Sequence, residues 1–263
     1  MLVHDSAWLL GAGDHPDPAA RIFCFAHAGG NPRTFLGWQD ALGDEAQIVA
    51  MCPPGRGHRY KEAAPSGMAE FADSAAEAIA AAADRPVLLF GHSFGAVMAF
   101  EVARRLGDLP QLRRLIASGC SAPSLLPTQR VVDTAKLEGR EFTEAVQFFG
   151  GLPPEVVANE DLQELLLPAL RADFRMVADY RYRPAAPLTV PVSLVNGRED
   201  PHIKEAGLRP WQQECAGESA YHWAEGGHFY FDDRPEAVTD VLRSAVRDAP
   251  RTPPRAAEHV EMI

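Results

Sequence analysis

Residues 86–106 read PVLLFGHSFGAVMAFEVARRL, and their order decides the fold. The opening PVLLF is apolar and of strand length. A Gly-x-Ser-x-Gly turn follows at 91–95, and from Ala96 to Leu106 apolar residues recur at helical spacing. Strand, serine-bearing turn, helix is the setting in which a nucleophile elbow forms. Such a turn reverses the chain within a few atoms and strains the serine's backbone. Gly91 and Gly95 carry no Cβ, so strand and helix can approach each other closely. Ser93 is therefore the candidate nucleophile, held above the carboxyl edge of a sheet, where α/β sites form. The helix behind it brings a positive dipole end close to a developing oxyanion.

The same rhythm extends in both directions. RIFCFA (21–26), QIVAMC (47–52), RRLIASG (113–119) and VPVSLVN (190–196) are short apolar runs bounded by Gly, Pro or charge. Runs of this kind suit strands buried on both faces of a parallel sheet. SAWLL (6–10) and SAYHWA (219–224) are weaker strand candidates. Helical patterns lie at Met68–Ala83, Ala96–Leu106 and Pro235–Val246. Strand and helix in alternation argue for a doubly wound α/β sheet, and with the serine turn at 91–95 the expected fold is that of an α/β-hydrolase, a mostly parallel central sheet with helices on both faces.

One stretch departs from this pattern. Residues 121–187 hold helical segments at Glu141–Phe149 and Leu162–Tyr180, interrupted by Gly150-Gly151 and Pro153-Pro154. The expected organisation is a hydrolase core of 1–120 and 188–248, with 121–187 as a helical lid insertion. The Pro- and charge-rich 249–263 is expected to be a mobile tail.

Bulk properties narrow the function. The chain has 263 residues, 46% of them apolar and 23% charged, as in an ordinary globular protein. A net charge of -11 argues against non-specific nucleic-acid binding, which needs basic residues to displace counterions. No apolar run reaches the roughly 18 residues of a membrane span, and the N-terminus lacks the form of a signal peptide. A cytoplasmic location is expected by elimination. Cys24, Cys52, Cys120 and Cys215 form no C-x-x-C pair, so buried reduced thiols are expected, with neither metal nor cofactor.

A serine hydroxyl needs a base, and in this fold the chain order is Ser, acid, His. Downstream of Ser93 stand His202, His222, His228 and His259. His259 lies in the tail, His222 in a strand candidate, and His202 reads as a loop residue without a role. His228, in the glycine loop EGGHFYF before the last helix, is the expected base. Asp200, just past the 190–196 strand, is the expected acid, with the adjacent Glu199 as the alternative. Two backbone amides should form the oxyanion hole: Phe94 after the nucleophile and Ala28 in the loop AHAGGN. His27 either packs under the site or is only a loop residue.

With these residues in place, the strings FCFAHAGGNPRTFLGW (23–38), CPPGRGHR (52–59) and LLFGHSFGAVMAFEVARRL (88–106) resemble the type II thioesterases. LPPEV, LLLPALRADF and YRYRP in the insertion continue the likeness, and NGREDP and GGHFYF complete it over about residues 20–245. The resemblance implies hydrolysis of acyl thioesters on the phosphopantetheine arm of an acyl or peptidyl carrier protein. Such enzymes clear stalled or aberrant groups from polyketide or nonribosomal peptide synthases. Ser93, Asp200 and His228 match the family's triad, and Ala28 and Phe94 its oxyanion donors. Ala26 stands where the family commonly has Pro, and Phe94 where Met is common.

Phe148, Phe149, Leu166 and Phe174 are candidates to line an acyl channel under the lid. Positive charge rests almost wholly on arginine. Arg56, Arg59, Arg171, Arg175, Arg181 and Arg183 are candidates for contacts to a carrier protein. The competing readings are a carboxylesterase or lipase, a product-releasing thioesterase, and a non-catalytic acyl-binding scaffold.

Overall fold

A computed structural model describes residues 6–13, 15, 17–217 and 219–249. The expected tail beyond 249, with His259, lies outside the described residues. Seven strands form one sheet: β1 (Leu9–Gly11), β2 (Ala20–Phe25), β3 (Ala46–Met51), β4 (Val87–His92), β5 (Leu112–Ser118), β6 (Val192–Gly197) and β7 (Ser219–Ala224). Their order across the sheet is β1-β3-β2-β4-β5-β6-β7. Only β1 runs antiparallel, against β3; every other pairing is parallel. All seven strand candidates are strands, including the two weak ones, SAWLL and SAYHWA. These two supply the edge strands, whose exposure dilutes the apolar signal.

The strands alternate between two cores, as a period of two requires. Phe23, Phe25, Val49 and Leu89 face α2 (Met68–Ala81) and α3 (Phe94–Arg105). Ile22, Cys24, Ile48, Leu88 and Phe90 face the other way, toward Phe35, Trp38 and Leu42 of the short α1 (Gln39–Leu42) and toward α9 (Glu236–Asp248). Both faces are thus covered, which is why the central strands read as unbroken apolar runs. The four cysteines are free and buried. Burial pushes the Cys120 thiol up to about 12.

Between β5 and β6 the chain is helical: α4 (Gln129–Thr134), α5 (Gly139–Gln147), α6 (Pro154–Val157) and α7 (Glu160–Ala178). These helices enclose a small core of their own, Phe142, Val146, Leu152, Val156, Leu170 and Phe174. The two long helices stand within two residues of the expected spans. The short α4 and α6 were not expected, since one or two turns carry too little periodicity to be read. Asn159 caps α7 by accepting from the Leu162 amide at 3.1 Å. In the last short helical segment, α8 (Glu205–Leu208) follows β6 and leads to buried Trp211.

Candidate active site

The turn between β4 and α3 is as tight as its glycines require. A Cβ on Gly91 would fall 2.1 Å from the Gly95 carbonyl oxygen, and one on Gly95 would fall 2.1 Å from that of Phe25. Ser93 sits between them at φ 56° and ψ -119°, and among the described residues it alone has a positive φ without being glycine. Its amide donates to the Ser118 carbonyl on β5 at 2.7 Å, which fixes the strained turn to the sheet.

Two loops at the same sheet edge supply the other groups. Asp200 follows β6, and His228 follows β7 in the Gly226-Gly227 loop. The His228 imidazole and Asp200 Oδ2 lie 2.6 Å apart through Nδ1, with the carboxylate wholly out of water. Asp200 Oδ1 accepts from the His202 amide at 2.8 Å, so both carboxylate oxygens are engaged. Glu199, the alternative, is exposed, and its amide donates to the Gly226 carbonyl. The structure therefore brings Asp200, not Glu199, to the histidine.

Ser93, His228, Ala28 and Phe94 all border one cavity of about 390 Å³. Among the described residues no hydrogen bond joins Ser93 to His228; such contacts are often long in a free enzyme and tighten with substrate. The amides of Ala28 and Phe94 have no acceptor among the described residues. They are thus available as a pair of donors, one from the loop after β2 and one at the first residue of α3. No group of three metal-ligating side chains occurs among the described residues.

Further histidines surround His228. His92, the variable residue in the turn, is fully buried with its ring centroid 4.7 Å from that of His228. Its Nδ1 lies 2.9 Å from Ser118 Oγ, which in turn lies 2.8 Å from the Tyr230 hydroxyl. Burial, and then the charge it would share with His228 and His27, holds His92 well below the usual imidazole range. His27 packs under the site, edge-on to Phe229 at 4.9 Å, and burial lowers it to about 4. His92 stands at the position that the Gly-x-Ser-x-Gly pattern leaves open, so the motif alone carries no signal for it; its contacts to Ser118 and His228 come from strands and loops remote in the chain. His202 lies in the loop after β6, as expected, but at the cavity wall. It stacks on Phe149 with centroids 5.4 Å apart and walls the cavity beside His228, 5.2 Å away.

Of the expected channel residues, Phe148, Phe149 and Phe174 line the cavity and Leu166 does not. Leu166 is 40% exposed, next to Leu165 at 63%. In the first turns of α7, Leu162 and Leu167 pack half-buried against the small core of this helical segment, and the residues of that helix that reach the cavity are Leu170, Phe174 and Val177.

The candidate arginines are scattered. Arg56 is buried against Asp173 of α7, Arg59 pairs with Glu62, and Arg171 lies over the Phe142 ring. Arg175, Arg181 and Arg183 border a separate groove with Arg104 and Arg105. The arginine at the mouth of the Ser93 cavity is Arg130, which the sequence did not single out. Its guanidinium lies 3.8 Å from the ring centre of half-exposed Phe148.

A thioesterase-domain family profile matches residues 20–246. The chain belongs to the thioesterase family. This thioesterase is 31% identical to the thioesterase PikA5 of Streptomyces venezuelae, over 88% of this chain and 83% of that one. It shares 30% identity with a Brevibacillus parabrevis protein named linear gramicidin dehydrogenase LgrE, over 93% and 94% of the two chains. That name denotes redox chemistry, whereas residues 91–95 here form a strained serine turn and not a Gly-x-Gly-x-x-Gly pyrophosphate loop. Among solved structures, the type II thioesterase BorB from the borrelidin biosynthetic cluster superposes with a TM-score of 0.83 at 30% identity. The match covers 92% of this thioesterase and 98% of BorB. Fold and family together make the thioesterase a serine hydrolase of the α/β-hydrolase type. No helix among its described residues is long and apolar enough to cross a membrane.

Proposed function

We propose that this thioesterase hydrolyses acyl groups from the phosphopantetheine arm of carrier proteins, clearing stalled or aberrant chains from a polyketide or nonribosomal peptide synthase. The observation that carries the chemistry is the buried Asp200–His228 pair, set on the same cavity as the strained Ser93. Ser93 Oγ attacks the thioester carbonyl while His228 Nε2 takes the hydroxyl proton. Asp200 holds the imidazole by Nδ1 and stabilises the imidazolium. The tetrahedral oxyanion accepts from the amides of Ala28 and Phe94. Collapse breaks the C–S bond, and the pantetheine thiol leaves with the proton from His228. Water, deprotonated by the same imidazole, then attacks the Ser93 ester and releases the free acid.

In this reading residues 121–187 are the lid, and Phe149, Leu170 and Phe174 supply apolar wall for the acyl chain. The carrier's arm enters past Arg130 and Phe148 at the cavity mouth. With a protein at -11, attraction to an acidic carrier is local and not long-range.

The test compares one acyl group on a carrier protein and on a free pantetheine mimic. The carrier form should be turned over with the higher kcat/KM, and Arg130→Glu should lower that value for the carrier form alone. Equal efficiency on both would remove the carrier protein and favour an esterase acting on small esters.

A further inference from the structure

The loop that presents the Ala28 amide is fastened from outside the sheet. Residues 27–30 form a turn closed by the Gly30 amide donating to the His27 carbonyl at 2.9 Å. Gly29, third in the turn, has φ 71°, the conformation that favours glycine at that place in a type II turn. Its amide donates to Asp173 Oδ2 at 2.7 Å. The next carbonyl, of Gly30, accepts from Arg56 Nη1 at 3.0 Å. Arg56 Nη2 donates to the same Asp173 oxygen, so one carboxylate and one guanidinium together hold an amide and a carbonyl of the turn. The two side chains are only 9% and 5% exposed. Leu170, three residues before Asp173 on α7, completes the seat: a Cβ on Gly29 would lie 2.7 Å from Leu170 Cδ1.

Stability alone does not account for this arrangement. An ion pair taken out of water recovers little more than its desolvation cost, and apolar residues of similar size often replace one without loss. What the pair supplies is geometry. It joins three segments remote in the chain: the loop after β2, the loop after β3, and α7.

We infer that Asp173 and Arg56 are positioning residues for the oxyanion hole, holding the Ala28 amide in register with that of Phe94, and that they tie this geometry to the seating of α7. The inference rests on the proposed roles of Ser93, Ala28 and Phe94. Asp173 touches neither substrate nor nucleophile and acts through the Gly29 amide. If α7 moves away, the acceptor of that amide goes with it, and the turn presenting Ala28 loses its restraint.

The decisive comparison is between two double variants that both remove the buried charges. Asp173→Leu/Arg56→Met leaves the Gly29 amide without an acceptor, while Asp173→Asn/Arg56→Met keeps an oxygen facing it. The first should lose kcat by about 10- to 100-fold, approaching the loss of one oxyanion donor, with KM changed less than about threefold. The second should stay within about fivefold of wild type. An acyl trifluoromethyl ketone, whose Ser93 adduct places an oxyanion in the hole, should bind the first variant about tenfold or more weakly. A thioether substrate analogue should bind it unchanged. Should the leucine pair fail to fold, Asp173→Ala/Arg56→Met serves as the acceptor-free variant. Equal kcat in acceptor-free and acceptor-bearing variants, or a thioether affinity that falls with kcat, overturns the inference. A Ser93→Ala enzyme that stays active would sink the underlying reading instead, and a dead Ser93→Ala with equal double variants would sink only the clamp.

Discussion

Asp200 Oδ2 and His228 Nδ1 lie 2.6 Å apart although 28 residues separate them in the chain, and the Asp200 side chain is wholly shielded from water. A carboxylate so placed selects the tautomer with the proton on Nδ1, leaving Nε2 free to face the cavity. Asp200→Asn keeps the shape but favours the wrong tautomer. Its kcat should fall on the order of 10⁴-fold, while Glu199→Gln, altering an exposed side chain, should leave turnover within about twofold. Steady-state kinetics of the two variants decide it; a larger loss in Glu199→Gln contradicts the assignment.

Gly197, the last residue of β6, supports the same pair from below. A Cβ there would fall 2.2 Å from the Gly227 carbonyl oxygen and 2.4 Å from that of Gly226, in the loop that carries His228. Gly197→Ala must push that loop aside. A displacement of about 1 Å in a catalytic group can cost about 10²-fold in rate, so kcat should fall by at least that order. Gly217, where a Cβ meets nothing within 4 Å, is the control, and Gly217→Ala should behave as wild type.

The cavity wall predicts chain-length preference. Phe149 lines the cavity and packs on Phe174 with centroids 5.3 Å apart. Phe149→Ala should move the best substrate toward longer or bulkier acyl groups in a kcat/KM panel of graded thioesters. Leu166→Ala, on the surface of α7, should leave the ranking alone. An unshifted optimum in Phe149→Ala would separate this residue from acyl selection.

Two shielded imidazoles, half-buried His27 and fully buried His92, contribute to the pH response of stability. His27 is lowered from 6.5 to about 4 and His92 well below 6.5, in each case chiefly by burial. Between those values and 6.5 the unfolded chain binds protons that the folded one refuses, so stability rises with pH across this window. The contribution is full above about pH 6.5 and is lost as the pH falls toward 4. Asp173, raised by burial against the pull of Arg56, works in the opposite sense. Thermal melting followed from about pH 7.5 to 5 should show a falling Tm, and His27→Asn, which does not titrate, should flatten the decline. A Tm that holds or rises on acidification would contradict the burial of these rings as neutral bases.

Much of this was open to reading in the primary structure because it is local. Strand, glycine turn and helix at 86–106 are specified by residues adjacent in the chain, and steric exclusion at Gly91 and Gly95 acts over a few bonds. The alternation of apolar runs and helical periods reports burial on two faces, which fixes the sheet's class and the edge at which Ser93, Asp200 and His228 meet. Leu166 was misplaced for the complementary reason. It stands one turn before Leu170 in a run with more leucines than one face can bury, and the run does not say which of them the fold covers: Leu162 and Leu167 pack on the core while Leu165 and Leu166 stay exposed.

By itself, then, the sequence determined the seven strands, the long helices, their order and the three residues with the form of a triad, since each follows from short-range sterics and chain order. Only the tertiary structure brought Asp200 and not Glu199 to His228, packed His92 and His202 beside it, put Arg130 at the cavity mouth, and closed Asp173 and Arg56 over Gly29 and Gly30. Those relationships span 26 to 144 residues of chain where the bonds are direct. Which side chains pair at such separations depends on how α7 and the loops settle on the sheet, and burial then makes the loss of a charged partner costly, because a charge or amide left unpaired away from water is expensive.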